Sequence, residues 1–64
     1  MSYKDELIKQ KGYVLQRMEN ISKKQDELLS YDLLSSEVDH MLRNQYNDQK
    51  KLLIQINEQL ALQK

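Results

Sequence analysis

The sequence contains no cysteine and no proline, and it has one glycine and one histidine among 64 residues. Without cysteine, neither a disulfide framework nor a thiolate metal site can stabilise the chain. A single histidine leaves too few soft ligands for a structural zinc ion, so we expect no metal site and no cofactor in the protein itself. Helix-breaking residues are nearly missing as well, which favours α-helix throughout. The lack of cysteine also fits a reducing compartment, and we expect a cytoplasmic protein.

The sequence has no excess charge of either sign, because ten basic and ten acidic residues cancel to a formal net charge of zero. Such a surface gives no long-range attraction for a phosphate backbone, so nucleic acid is not the expected partner. Long hydrophobic runs are also missing, since no uninterrupted apolar run exceeds Leu52-Leu53-Ile54. Neither a membrane span nor a signal peptide fits that pattern. We therefore expect no membrane association.

A chain of 64 residues forms one domain, taken as residues 1–64, with room for only a small core. Single cores of chains below roughly 70–80 residues rarely contribute more than ~3–5 kcal/mol. An enclosed active-site cavity is therefore not expected. Any chemistry should occur on a surface, with a partner protein supplying the other wall.

The apolar residues that are present recur with helical spacing. The first half repeats at every seventh position, and the second half follows steps of three, four or their sums. These residues are Leu7, Val14, Ile21 and Leu28, followed by Leu34, Val38, Leu42, Leu52, Ile56 and Leu60. This is the pattern of amphipathic helices rather than of strands. Ser2 followed by Asp5 resembles a capping box that opens the first helix.

The spacing of sevens continues in register through the whole chain, so one continuous helix is an alternative to two. In that register Asp32, Ser35 and Asp39 would occupy successive seam positions, which a coiled coil accommodates poorly. A turn at about 28–31 removes the conflict. It gives helix one at about 3–28 and helix two at about 31–62, with Ser30 as the cap and Leu29 against Leu34 as a hydrophobic staple. The predicted fold is an all-α antiparallel two-helix hairpin, and dimerisation into a four-helix bundle remains open, with Ile54 and Leu62 as candidate contacts.

Several polar residues lie where the pattern predicts core or boundary positions. Gln25, Gln45 and Gln49 interrupt the apolar stripes, and we expect them to direct helix pairing through hydrogen bonds, with the orientation of a water molecule as an alternative role. Gly12 lies inside helix one, where it permits either a close approach of helices or a bend. Ser35 and Asp39 are four residues apart, so they neighbour each other on one helix face. The simplest interpretation of that pair is a local cap and an acidic first turn.

The segment Ser35-Ser36-Glu37-Val38-Asp39, followed by Met41-Leu42, resembles the Ser-x-x-x-Asp signature of the stage-zero-E-like sporulation phosphatases of bacilli. The signature there is commonly Ser-Gln-Glu-Leu-Asp followed by two aliphatic residues. The chain length and the two-helix layout are similar to that family as well. Ser36 and Val38 depart from its usual glutamine and leucine.

The resemblance implies a protein-aspartate phosphatase of two-component phosphorelay signalling, which removes the phosphoryl group from a response-regulator receiver domain and so restrains sporulation. It implies catalytic roles for Asp39 and Ser35, with Mg²⁺ bound by the partner receiver. We further expect Ser36, Glu37, Tyr31 and His40 to contact that partner. Asp39 would orient the attacking water, and Ser35 would position Asp39 or touch the phosphoryl oxygens.

Two other functions remain open from the sequence. The first is a non-catalytic adaptor or antagonist whose helices join a partner's helical bundle. The second is a dimeric hairpin that binds structured RNA, which the absence of net positive charge disfavours. Either a monomer or a homodimer is compatible with the apolar pattern.

Overall fold

The computed structural model describes residues 2–63, and these residues form two helices packed against each other. Helix α1 spans Tyr3–Ser30 and helix α2 spans Ser36–Leu62. The hairpin is long and thin, with extents of 47 × 16 × 12 Å. The predicted all-α two-helix hairpin is confirmed, and dimerisation stays a prediction. Within the described residues, neither helix has a stretch long and apolar enough to cross a lipid bilayer.

Helix α1 begins where the sequence predicts it. Ser2 is the N-cap, and its hydroxyl oxygen accepts a hydrogen bond from the Asp5 backbone N–H at 3.2 Å. Asp5 and Glu6 place negative charge in the first turn, where the helix dipole favours it. A cap of this type contributes about 1 kcal/mol to helix stability.

Helix α1 ends in a Schellman motif, and this ending moves the turn away from its predicted place. The Leu33 N–H donates to the Leu28 carbonyl at 2.7 Å, and the Asp32 N–H donates to the Leu29 carbonyl at 3.1 Å. Asp32 itself adopts the left-handed backbone conformation, with φ 57°. This is the C′ position of the motif, where glycine is usual and aspartate is tolerated. The chain therefore reverses direction at residues 31–35.

The predicted turn at about 28–31 and the predicted start of helix two at about 31 are consequently wrong by several residues. Ser30 is the last residue of α1 and does not cap the second helix. The predicted hydrophobic staple between Leu29 and Leu34 required Ser30 as the N-cap of the second helix, and Ser30 does not have that role. The N-cap of α2 is Ser35, with extended backbone angles.

The core lies mainly in the half of the hairpin that contains both chain ends, here called the stem. Leu7, Val14 and Ile56 are buried there and form one cluster. Three half-buried side chains pack against this cluster, namely Met18, Leu53 and Leu60. Only Leu42 is a buried apolar residue closer to the turn, among the residues that the structure describes. The turn end is therefore held together by fewer apolar contacts than the stem.

Candidate functional site

Ser35 lies at the first position of the signature and serves as the N-cap of α2. Its hydroxyl oxygen accepts a hydrogen bond from the Val38 backbone N–H at 3.2 Å. Its carbonyl accepts from the Asp39 N–H at 2.9 Å. The residue is exposed. The local-cap interpretation of Ser35 is thus confirmed, and the hydroxyl hydrogen is still available to donate to another group.

Asp39 lies one turn further along α2 and is held from two sides. The Gln25 side-chain amide of α1 donates to one carboxylate oxygen at 2.6 Å. The Arg43 Nε atom lies 2.9 Å from the other oxygen, in an ion pair between residues four apart on α2. The Asp39 side chain retains 27% of its solvent exposure. Since each carboxylate oxygen can accept more than one hydrogen bond, the carboxylate is positioned by the protein and can still bind a water molecule.

The two signature residues border one open groove, here called the tip groove, with a volume of about 360 Å³. Its lining residues are Gln25, Asp26, Leu29, Leu34, Ser35, Ser36, Asp39 and Arg43. A second groove adjoins it through Gln25 and Arg43 and runs towards Tyr46 and Asn47. The structure therefore brings the predicted pair to an accessible concave surface between the helices.

The chain around the turn is rich in acidic side chains. Residues 25–42, here called the tip, contain five acidic side chains and no lysine or arginine. The acidic residues are Asp26, Glu27, Asp32, Glu37 and Asp39. Because the whole chain is neutral, the remaining residues carry the compensating positive charge. A partner that docks at the tip therefore meets these acidic side chains together with Arg43, which lines the tip groove.

The other predicted contact residues all lie on the surface of the tip. Ser36 and Glu37 occupy the first turn of α2 and are exposed. His40 is exposed as well, outside the tip groove. Tyr31 is the C-cap of α1 and is 74% exposed, and Leu29 and Leu33 are 65% exposed. Three exposed apolar side chains therefore lie at the turn, and one of them, Leu29, also lines the tip groove.

Arg43 belongs to this site but was not singled out by the sequence, and Gln25 was expected first of all to pair the helices. Arg43 follows Asp39 by four positions on α2, and that spacing of opposite charges is a recognisable signal for an ion pair. Gln25 was expected to form a hydrogen bond between the helices, and it forms one with Asp39. No sequence pattern identifies Asp39 as this partner, because the pairing depends on how the two helices are aligned. Gln49 is half-buried in the seam and its Oε1 atom has no hydrogen-bond partner. Gln45 is exposed and makes no such contact.

Residues 2–63 contain no group of three or more histidine or acidic side chains arranged to hold a metal ion. The Mg²⁺ ion that the resemblance implies belongs to the partner receiver domain, and it stays a prediction. No protein-family model, curated protein or solved structure matches this chain. The resemblance to the sporulation phosphatases thus continues to depend on the signature residues and their placement.

Proposed function

We propose that the protein is a protein-aspartate phosphatase that acts on a phosphorylated response-regulator receiver domain. The observation that carries this proposal is the position of Asp39. Its carboxylate accepts a hydrogen bond from Gln25 and pairs with Arg43 at the edge of an open groove that Ser35 also lines. A polar group held in place before the partner arrives needs little reorganisation during the reaction.

Asp39 is the proposed water-orienting residue. In the reaction, the water oxygen attacks phosphorus, the acyl P–O bond breaks, and the receiver's aspartate leaves as a carboxylate while inorganic phosphate forms. The free acceptor capacity of the Asp39 carboxylate takes a hydrogen bond from the attacking water and directs its lone pair at phosphorus. Positioned acid–base groups of this kind contribute roughly 10²–10⁴-fold to rate.

Ser35 has a narrower role in this proposal. Its oxygen already accepts from the Val38 N–H, so the hydroxyl contributes its remaining hydrogen. That hydrogen donates to a phosphoryl oxygen or to Asp39. Ser35 and Asp39 line the same groove, so both groups can face one bound phosphoryl group.

The acidic tip defines what the partner must contribute. An additional carboxylate beside an anionic phosphoryl group is repulsive, and the tip carries five carboxylates. The receiver's Mg²⁺ and its cationic side chains must offset this repulsion, and they also polarise the phosphoryl oxygens. The exposed Leu29, Tyr31 and Leu33 supply apolar contact area next to the groove.

The test is a turnover assay with receiver domains labelled at their aspartate with ³²P-phosphate. Substoichiometric wild-type protein should release inorganic phosphate from its cognate receiver. Asp39→Asn preserves size and the bond from Gln25 but removes the negative charge, and it should lower the rate by at least a hundredfold. Asp48→Asn makes the same change on an exposed part of α2 away from the tip groove, so its rate should equal that of the wild type.

One result in this assay would eliminate the catalytic role of Asp39, namely equal phosphate release by Asp39→Asn and wild type. Circular dichroism of the variants controls for folding. Binding of the labelled receivers without phosphate release by any of the three proteins would indicate the second candidate.

That second candidate is a non-catalytic adaptor that docks through the same tip. The specific observation in its favour is that both signature side chains already have structural partners. Ser35 caps α2, and Asp39 joins the helices through Gln25. In this alternative, Asp39→Asn would weaken binding of the receiver without any loss of turnover, since there would be none.

A further inference from the structure

Arg43 carries the single positive charge among the described residues that line the tip groove. Two carboxylates, those of Asp26 and Asp39, line the same groove. Because residues 25–42 contain no lysine or arginine, Arg43 is the first cation that follows the signature along the chain. An anionic phosphoryl group that enters the groove therefore meets two like charges and one opposite charge of the hairpin.

The ion pair between Arg43 and Asp39 is exposed and lies within one helix. The Arg43 Nε atom is 2.9 Å from a carboxylate oxygen of Asp39, and the Arg43 side chain is 70% exposed. An exposed pair four residues apart contributes little to stability, because water screens the two charges. The hairpin therefore loses little when the guanidinium leaves this carboxylate for a phosphoryl group, which carries more negative charge.

Asp39 keeps its second contact when Arg43 moves. The side-chain amide of Gln25 donates to the other carboxylate oxygen at 2.6 Å, in a part-buried hydrogen bond between the helices. Gln25 thus continues to orient the carboxylate, and the oxygen that Arg43 leaves becomes able to accept a hydrogen bond from the attacking water. Arg43 also lines the adjoining groove, which gives its side chain room to change conformation.

We propose that Arg43 is a further catalytic residue, whose guanidinium moves from Asp39 to the phosphoryl oxygens when a phosphorylated receiver docks. The inference rests on the proposed function and adds a cation from the hairpin to those of the receiver. The planar guanidinium has several N–H donors, and this arrangement suits the oxygens of a phosphoryl group. The cation offsets their negative charge and the repulsion from Asp39.

No bond to Arg43 forms or breaks in this reaction. The water oxygen forms a bond to phosphorus, and the electron pair of the acyl P–O bond leaves with the receiver's aspartate. Both protons of the water remain with the inorganic phosphate. Arg43 keeps its own protons and acts through charge and hydrogen bonds alone.

Phosphate release from the ³²P-labelled receiver tests this role. Arg43→Gln removes the charge but keeps a long polar side chain, and it should lower kcat roughly a hundredfold. Arg43→Lys keeps the charge without the planar group, so its rate should lie between those of Arg43→Gln and the wild type. Arg17→Gln is the matched control and should have the wild-type rate, because Arg17 is an exposed arginine of α1 that lines neither groove. Circular dichroism of the variants controls for folding.

Binding to a receiver activated with beryllofluoride distinguishes contact with the phosphoryl group from an effect on the position of Asp39. This anion on the receiver's aspartate imitates the phosphoryl group and is not hydrolysed. Wild-type protein should prefer the activated receiver to the unmodified one in calorimetry. Arg43→Gln should reduce this preference roughly tenfold, whereas Asp39→Asn should preserve or increase it, because a repulsive charge is removed.

Two results would overturn the role of Arg43 and leave the proposed function standing. The first is phosphate release by Arg43→Gln at the wild-type rate. The second is an unchanged preference of Arg43→Gln for the activated receiver, since Arg43 would then act only by positioning Asp39. Failure of the proposed function itself looks different, because wild-type protein would then release no phosphate from any labelled receiver.

Discussion

The side-chain amide of Gln25 on α1 lies 2.6 Å from a carboxylate oxygen of Asp39 on α2. This hydrogen bond joins the two helices at the tip, where Leu42 is the only buried apolar residue among the described residues. The stem is held by the apolar cluster of Leu7, Val14 and Ile56. At the tip, this polar contact therefore helps to hold the helices together, as apolar burial does in the stem. The same contact orients the candidate catalytic carboxylate of Asp39.

Replacing Gln25 with alanine should reduce stability and disorganise the tip. A half-buried hydrogen bond to a charged group contributes about 1–2 kcal/mol, and we expect a loss of that size in the free energy of unfolding. Urea denaturation followed by circular dichroism measures it. Gln16→Ala is the matched control, because it removes an exposed hydrogen bond within α1, to Asn20, and gains the same helix propensity. A loss for Gln25→Ala no larger than that of the control would contradict the importance of this contact.

Substitutions at Ser35 should separate its structural role from its proposed chemical role. Ser35→Ala removes the cap of α2 and should cost about 1 kcal/mol of stability. Ser35→Asn retains an N-cap acceptor but lacks the hydroxyl, so it should restore stability while phosphate release stays reduced. Ser35→Thr keeps both and should preserve both. Phosphate release by Ser35→Asn at the wild-type rate would show that the hydroxyl acts only as a cap.

The conformation of Asp32 predicts opposite outcomes for two substitutions. With φ 57°, the position accepts glycine without strain, whereas a β-branched residue is strongly disfavoured there. Asp32→Val should lower the free energy of unfolding by about 1–2 kcal/mol relative to Asp32→Gly. Thermal and urea denaturation of the two variants provide the comparison. Equal stability would mean that the chain reverses direction without a left-handed residue at this point.

The stem core should tolerate little loss of volume. Val14 is 1% exposed, and Val14→Ala should cost about 2–3 kcal/mol through lost burial and an unfilled cavity. In a chain of this size that is most of the available stability, so we expect a large unfolded fraction at room temperature. Ile54→Ala removes more atoms from a site that is 49% exposed and should cost less than ~1 kcal/mol. A comparable loss for the two variants would place the core elsewhere.

The amino-acid sequence by itself determined the two helices, the cap at Ser2 and the stem core, because each depends on local spacing and on residue type. Leu7 and Val14 identify the buried face, since apolar residues seven positions apart return to the same side of a helix. The segment from Ser35 to Asp39 was singled out as the candidate site by a resemblance to a family signature, and the sequence also offered Ser35 as a local cap, which it is.

Only the tertiary structure decided where the chain turns and what holds Asp39. The end of α1 depends on Asp32 adopting a left-handed conformation, and no glycine marks that position in the sequence. The contact between Gln25 and Asp39 depends on the register of the two antiparallel helices, which the turn and the packing of both apolar faces set together. Local propensity carries no information about that register, because it concerns each helix alone.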